Sequence, residues 1–375
     1  MTDSISKFRQ DARAWLAEHT PKAPPPPDGP ESRRYALAWQ RTQAQGGWAG
    51  IAWPTEMGGR GASVLEQIVW FEEYARAAAP SPLGPTFVGL NHAGPTLIAC
   101  GTPEQKAFHL PRIVNGEAIW CQGFSEPGAG SDLAALKASG IVEGDELVIN
   151  GHKIWSSFAD IADWQELLVR TDSTAKTSGA LTWVICPMNA PGITVRPIRT
   201  MAGNYKFCEV FYDSVRIPLT NIVGGLNRGW GTAMSTLAFE RGTASLALLI
   251  ALTLKVESLL AACPKDRPQL RARLAQLRAE GAAVRAMTYR VALDAADATP
   301  DSIGSLVRMA FAEYEQRVTA AALDLFGIAA PEVVGMHGIG HDYLDAFAET
   351  IAGGTSEIQR NIIAERMLGL PRGPR

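Results

Sequence analysis

Phe124-Ser-Glu-Pro-Gly-Ala-Gly-Ser-Asp132, read together with Ala352-Gly-Gly-Thr-Ser-Glu-Ile-Gln-Arg360 far downstream, decides how this chain is interpreted. The first run combines a turn at Glu126-Pro127-Gly128, two glycines that let backbone come close to a ligand, and short hydroxyl side chains at Ser125 and Ser131. Such a loop suits an anionic or polar cofactor. It is not a dinucleotide fingerprint, because Gly128-x-Gly130 is followed by Leu133 where a third glycine is needed and no βαβ pattern surrounds it.

On the N-terminal side of this loop the chain reads as helices. Ile5, Phe8, Ala12, Trp15 and Leu16 fall on one face at helical period, which predicts an amphipathic helix ending before the turn-rich stretch from Pro21 to Pro30. Ser63-Val-Leu-Glu66 predicts a capping box opening a helix through Ala77, and Thr102-Pro-Glu-Gln105 predicts another with proline at the first helical position. These capping residues build helices and carry no chemistry.

From about Trp120 the pattern changes to short β-rich runs: Ile141-Val142, Glu146 to Ile149, Leu167 to Thr171, Leu181 to Cys186, Ile193 to Pro197 and Val210 to Pro218. Asn150-Gly151 between two of them predicts a hairpin turn. From about Gly229 helical period returns and persists, interrupted by the prolines of Ala262-Cys-Pro-Lys-Asp-Arg-Pro268.

Composition bounds the function. A chain of 375 residues, 46% hydrophobic and 19% charged, fits a globular protein of two or three domains. A formal net charge of -3 gives no basic footprint, which argues against nucleic acid as a partner. No uninterrupted apolar stretch reaches membrane-span length, since the most apolar run, Ala244 to Leu254, contains Ser245 and Thr253 and is followed by Lys255 and Glu257. The N-terminus lacks a basic region followed by an apolar one, so a cytoplasmic protein without integral membrane contact is expected. Five cysteines without a C-x-x-C pair predict neither disulfides nor a zinc site, and His337 and His341 read as a loop pair, not as metal ligands.

The two opening segments resemble the flavin-gripping motifs of the acyl-CoA dehydrogenase family, and the order of helices, β module and helices matches that family across nearly the whole chain. The resemblance implies an α+β fold with an N-terminal helical domain (residues 1–119), a middle β-barrel-like domain (120–225) and a C-terminal four-helix bundle (226–375). It implies FAD as cofactor, contacted at the positions of Gln122, Phe124, Ser125, Gly130 and Ser131, with Ser131 also near the acyl thioester. Lys153-Ile-Trp-Ser-Ser157 resembles the segment that lays an aromatic ring, here Trp155, against the flavin and brings a hydroxyl, here Ser157, to its N5 edge. Taken on its own Trp155 reads better as a core aromatic beside a hairpin; its place after Asn150-Gly-His-Lys153, in the family's order, turns the reading toward the flavin. Thr355 and Glu357 fall at further cofactor-contacting positions.

In much of the family the catalytic base precedes the Gly-Thr-Ser of the C-terminal motif, where this chain has Gly353. In a minority the base lies on the first long C-terminal helix just before an arginine, and here that place is Phe239-Glu240-Arg241. Glu240 is flanked by Leu237, Ala238, Phe239 and Ala244; facing inward it would be desolvated and its pKa raised, as a base for a weakly acidic α-proton requires, while composition alone reads it equally as a charge on a solvated stripe or a partner of Arg241. Glu349, Asp345 and Glu357 are the fallback carboxylates. Arg241, Gly353 and Ser131 fall at substrate-binding positions.

The implied reaction is α,β-dehydrogenation of an acyl-CoA to the 2-enoyl-CoA, with electrons passed to an electron-transfer flavoprotein. A same-fold flavin oxidase or monooxygenase is one alternative, and a non-catalytic subunit is another. Many relatives carry an Arg-x-x-Phe-Gly arm that reaches the neighbouring subunit's cofactor; the corresponding stretch, Ala262 to Arg271, lacks it. That departure leaves two assemblies open, a homo-oligomer such as a homotetramer or a heterotetramer with a related subunit that completes the FAD site.

Overall fold

The computed structural model describes residues 3–172, 174, 178–240, 243–294, 302–327 and 338–372. Five helices come first: α1 (Asp3–His19), α2 (Gly29–Gln45), α3 (Val64–Arg76), α4 (Gly94–Cys100), which continues a π-helical turn at Gly89–Ala93, and α5 (Pro103–Val114). The periodicity read in the first segment is realised, with Ile5, Phe8, Ala12 and Leu16 buried on one face of α1 and Trp15 packed at its edge. Both capping boxes form. Ser63 accepts from the Glu66 amide while the Glu66 carboxylate accepts from the Ser63 amide, and Thr102 and Gln105 do the same for α5.

The middle of the chain supplies β1 (Trp120–Gly123), β2 (Ser139–Glu143), β3 (Glu146–Ser157), β4 (Trp164–Arg170), β5 (Leu181–Pro187), β6 (Ile193–Ile198), β7 (Phe207–Pro218) and β8 (Ile222–Val223). They form one sheet in the order β6-β7-β3-β2-β4-β5-β8, with β1 added to β4 in parallel. The hairpin turn expected at Asn150-Gly151 is not there. Both residues lie inside β3 at a bulge opposite β7, and the β2–β3 hairpin turns instead at Gly144-Asp145. The reason is tertiary: a side chain on Gly151 would meet Ala138 Cα at 2.7 Å, and the Asn150 side chain accepts from the Ser214 amide at 2.8 Å.

The C-terminal part comprises α6 (Gly229–Glu240), α7 (Ser245–Ala262), α8 (Pro268–Asp294), α9 (Ser302–Phe326), α10 (Ile339–Glu349) and α11 (Ser356–Ile362). The proline-bearing connection separates α7 from α8 as read. Against the expectation from composition, α7 is long and apolar enough to cross a membrane by length and composition. It packs instead against α3, α8 and α9. Leu246, Leu249, Ile250, Val256 and Leu259 are buried in a core shared with α1 and α3, so its apolarity is that of a helix gripped from several sides.

A second core joins α4, α5 and α6 to one face of the sheet through Trp120, Leu168, Trp183 and Leu97, and a third fills the other face with Cys121, Leu167, Val169 and Val210. The N-terminal helices are fastened to the C-terminal ones by adjacent buried carboxylates on α3. Glu72 takes Arg9 at 2.7 Å, Arg285 at 2.6 Å and the Tyr289 hydroxyl, while Glu73 takes Arg9, Arg13 and Arg76.

Candidate active site

Strand alternation fixes which side chains of β1 face the helices. Trp120, Gln122 and Phe124 share one side and Cys121 the other, so the first three point toward α4 and the glycine loop continues from that side. The loop then ties itself down. Glu126 and Ala129 exchange both backbone hydrogen bonds at 3.0 Å, and the Glu126 carboxylate accepts from the amides of Lys137 (2.7 Å) and Ala138 (2.8 Å). Lys153, 0% exposed on β3, donates to Glu126 at 2.9 Å and to the Phe124 carbonyl at 3.0 Å. Burial alone would raise the Glu126 carboxyl; the Lys153 charge and the two amides outweigh it and hold the carboxyl below its ordinary range. Burial pushes the Lys153 ammonium down to about 8 against the pull of Glu126, so at neutral pH the pair is ionised.

The tip of the loop is open. Gly130 and Ser131 are exposed, and Ser125 is half-buried. Neither Gly128 nor Gly130 has a left-handed φ, and a Cβ on either would meet nothing of this chain within 4 Å. The fold therefore does not demand glycine at these two positions. Both leave room for something outside the chain to come close.

Trp155 stands beside this loop in a way no core aromatic would. Its φ is +63°, in the left-handed region that a bulky residue avoids, and its side chain is 56% exposed. The strain arises from a bulge in β3 between Lys153 and Ser156, and the bulge is locked to the loop by the Ile154 amide donating to the Ser125 carbonyl at 3.0 Å. Phe207 meets the indole edge-on at 6.1 Å, and Ser157, half-buried, pairs with Phe207 across the strands. A flat apolar face, a hydroxyl and an open glycine loop side by side fit a planar conjugated cofactor with an anionic tail.

Sequence reading missed the residues behind this wall. His92, in the π-helical turn before α4, places Nδ1 3.2 Å from Glu166 Oε1 and 3.3 Å from Gln122 Nε2, and Gln122 Nε2 donates to Glu166 Oε1 at 2.8 Å. His92 and Glu166 are both buried. The three lie on three elements and only strand parity signals that Gln122 and Glu166 share a side; π-helical turns recur at functional sites, but nothing in the sequence marks this one.

The C-terminal motif forms a separate piece. Gly353 and Gly354 have φ of +63° and +90°, and the buried Gln359 side chain donates to both their carbonyls. Thr355 caps α11, its hydroxyl accepting from the Ile358 amide, and Glu357 is exposed in the first turn. Arg308 on α9 holds Glu349 (2.7 Å) and the Ala352 carbonyl (3.0 Å). Among the described residues no hydrogen bond joins Gly353, Thr355 or Glu357 to the loop. The link runs through Asn204, which reaches His341 (3.2 Å) and Asp345 (3.4 Å) on α10, three residues before Phe207 meets Trp155. Glu240 is the last residue of α6, but its side chain, like Arg241 and His337, lies outside the described residues.

One carboxyl that the sequence did not single out is perturbed. Glu315 on α9 lines a cleft of about 230 Å³ with Lys255, Asp342, Asp345 and Glu349, and burial followed by the Glu349 charge pushes it up to about 8.

Three family models match consecutive parts of the chain: the acyl-CoA dehydrogenase N-terminal domain over residues 2–117, the middle domain over 121–215 and the C-terminal domain over 227–368. Acyl-CoA dehydrogenase IpdE1 of Mycobacterium tuberculosis is 37% identical over 385 residues, 98% of each chain. Among solved structures, the Tcur3481-Tcur3483 steroid ACAD is similar at TM-score 0.86 and 29% identity, covering 100% of this chain and 99% of that one. The ChsE4-ChsE5 complex from Mycobacterium tuberculosis follows at TM-score 0.82 and 28% identity, with the same coverage. With the glycine loop, the strained tryptophan and all three domains accounted for, the chain belongs to the acyl-CoA dehydrogenase family of flavin-dependent oxidoreductases.

Proposed function

We propose that this protein dehydrogenates an acyl-CoA to its 2-enoyl-CoA using FAD, with electrons leaving to an electron-transfer flavoprotein. One observation carries the reading: an exposed tryptophan held at φ +63° and hydrogen-bonded through its bulge to a loop whose glycines the fold itself does not need. Bound FAD supplies the hydride acceptor. Gln122, Phe124, Ser125, Gly130, Ser131, Trp155 and Ser157 would hold it from the sheet side, and Thr355 and Glu357 from α11.

Glu240, at the end of α6, would take the α-proton. Arg241, Ser131 and the backbone amide of Gly353 would bind and orient the thioester. Gly353 offers an amide without side-chain volume, which leaves room for a bulky acyl group; with the steroid ACAD among the structural relatives, we assign a ring-bearing, steroid-derived acyl-CoA as the substrate class.

The assembly we propose is a heterotetramer with a related subunit, in the cytoplasm. Two arginines of the stretch that lacks the family's arm are spent inside this chain. Arg267 donates to the carbonyls of Leu325 (2.9 Å) and Asp324 (2.7 Å), and Arg271 to that of Cys263 (2.8 Å). Arg267 thus clamps the α7–α8 connection to α9 and Arg271 ties it to α8, so an arginine for the cofactor's far end would come from a partner.

Anaerobic titration of the holoprotein with a panel of acyl-CoAs, followed by loss of the oxidised flavin band, tests cofactor, reaction and substrate together. Bleaching by ring-bearing acyl-CoAs, abolished by Glu240→Gln, is expected. Full bleaching by that variant would remove Glu240 from the role of base. Peroxide formation without an added acceptor would favour an oxidase.

A further inference from the structure

His92 and Glu166 sit behind the flavin wall, against Gln122, and have no part in the chemistry assigned above. A carboxylate oxygen accepts hydrogen bonds, and the amide that meets Glu166 turns its NH2 group inward. The 2.8 Å contact from Gln122 Nε2 to Glu166 Oε1 has that arrangement. His92 Nδ1 lies 3.2 Å from the same oxygen and 3.3 Å from Gln122 Nε2, its tautomer deciding which of the two it bonds.

The consequence lies at the other end of the amide. The Gln122 carbonyl oxygen has no hydrogen bond to any described residue, and it is not among the buried side-chain atoms left without a partner, so it faces accessible space. Gln122 is half-buried, two residues before Phe124 on the same side of β1. An acceptor held there matches a ligand donor, and the oxidised isoalloxazine ring carries one N–H, at N3.

We propose that buried Glu166, steadied by His92, is a positioning residue that locks the Gln122 amide so that its carbonyl oxygen, and not its NH2, faces the flavin N3–H. The inference rests on the flavin reading above. It adds that ring recognition depends on a carboxylate that never touches the ring.

A double-mutant cycle on FAD affinity tests it, using apoprotein, or the apo-complex if a partner subunit co-purifies, titrated with FAD by fluorescence quenching. Gln122→Met keeps the side chain's length and removes the acceptor, and is expected to weaken FAD about tenfold, the loss of one hydrogen bond worth ~1.4 kcal/mol. Glu166→Gln frees the amide to turn over and is expected to weaken FAD by a comparable factor. In the double variant the second change costs nothing further, because there is no amide left to orient. With N3-labelled FAD bound, the N3 resonance should move in Gln122→Met and in Glu166→Gln alike.

Equal loss from Glu166→Gln on both backgrounds, or an N3 resonance unmoved in Gln122→Met, overturns the proposal and leaves Glu166 a structural carboxylate. Gln122→Met alters only a half-exposed side chain, so that arm survives even if Glu166→Gln misfolds. Failure of the unaltered protein to bind FAD at all would sink the functional reading itself, an outcome distinct from either of these.

Discussion

Lys153→Met removes the ammonium at the centre of the loop's knot and keeps the unbranched stem that fills its channel. The variant loses the bonds from Nζ to Glu126 (2.9 Å) and to the Phe124 carbonyl (3.0 Å), and leaves Glu126 buried with only the Lys137 and Ala138 amides to solvate its charge. Stranding one member of a buried ion pair costs ~3–5 kcal/mol. At ~1.36 kcal/mol per decade this is roughly a hundred- to several-thousand-fold in the local opening equilibrium. Hydrogen exchange at neutral pH, where both groups are charged, reads it directly. The amides of Lys137, Ala138 and Ile154 should exchange faster by that factor, while amides in α8 and α9 stay unchanged. Adding Glu126→Gln removes the stranded charge, so the double variant should recover a large part of the protection. Exchange in Lys153→Met within about threefold of the unaltered protein would refute the reasoning, as would a double variant less protected than the single.

Trp155→Gly relieves a left-handed backbone that costs ~1 kcal/mol for a side-chain-bearing residue, so apoprotein stability should hold or rise while FAD affinity falls at least about tenfold; a clear loss of stability with affinity intact would make Trp155 a packing residue. Glu315, pushed up to about 8, keeps a proton in the folded state that the unfolded chain releases near ~4.3, so it withdraws stability as pH rises across that window. Glu315→Gln should therefore gain on the unaltered protein by a few kcal/mol between pH 5 and 9 in denaturant titrations, and a gain independent of pH would contradict the assignment. Glu72→Gln should cost ~1–3 kcal/mol, since Arg9 keeps Glu73 and Arg285 is partly solvated, read as earlier proteolysis of α1, and intact α1 protection would count against the latch.

What the sequence disclosed was local or periodic. Ser63 and Thr102 cap as read because a capping box needs only residues three apart, and α1 was legible because its buried face repeats every three to four residues. Asn150-Gly151 misled for the complementary reason. The pair is a strong turn signal in isolation, yet the glycine serves a close approach to Ala138, thirteen residues earlier, and the asparagine serves Ser214. β1 carried no signal, being four residues with Trp120 and Cys121 buried on opposite sides. The flavin loop was legible as a motif, but what holds it was not: Lys153 reads as an ordinary charged residue until its burial is seen. Neither His92 nor Glu166 could be paired from sequence, standing 74 residues apart on a helical turn and a strand.

The two halves of the proposed site are held by different means. The flavin wall is tied by hydrogen bonds among β1, β3, β4 and the loop between Phe124 and Ala138, while α6 shares its apolar core. The base side has anchors of its own. α6 starts against β5, where a Cβ on Gly229 would meet the Trp183 nitrogen at 2.3 Å, and the buried hydroxyls of Thr96 and Thr236 join it to α4 at 2.9 Å. α10, which leads to Gly353, is placed by Asn204 and Arg308 instead. Thr236→Val, which leaves the Thr96 hydroxyl buried without its partner, should then lower turnover while FAD affinity stays within about twofold; a parallel loss of both would mean that wall and base are coupled.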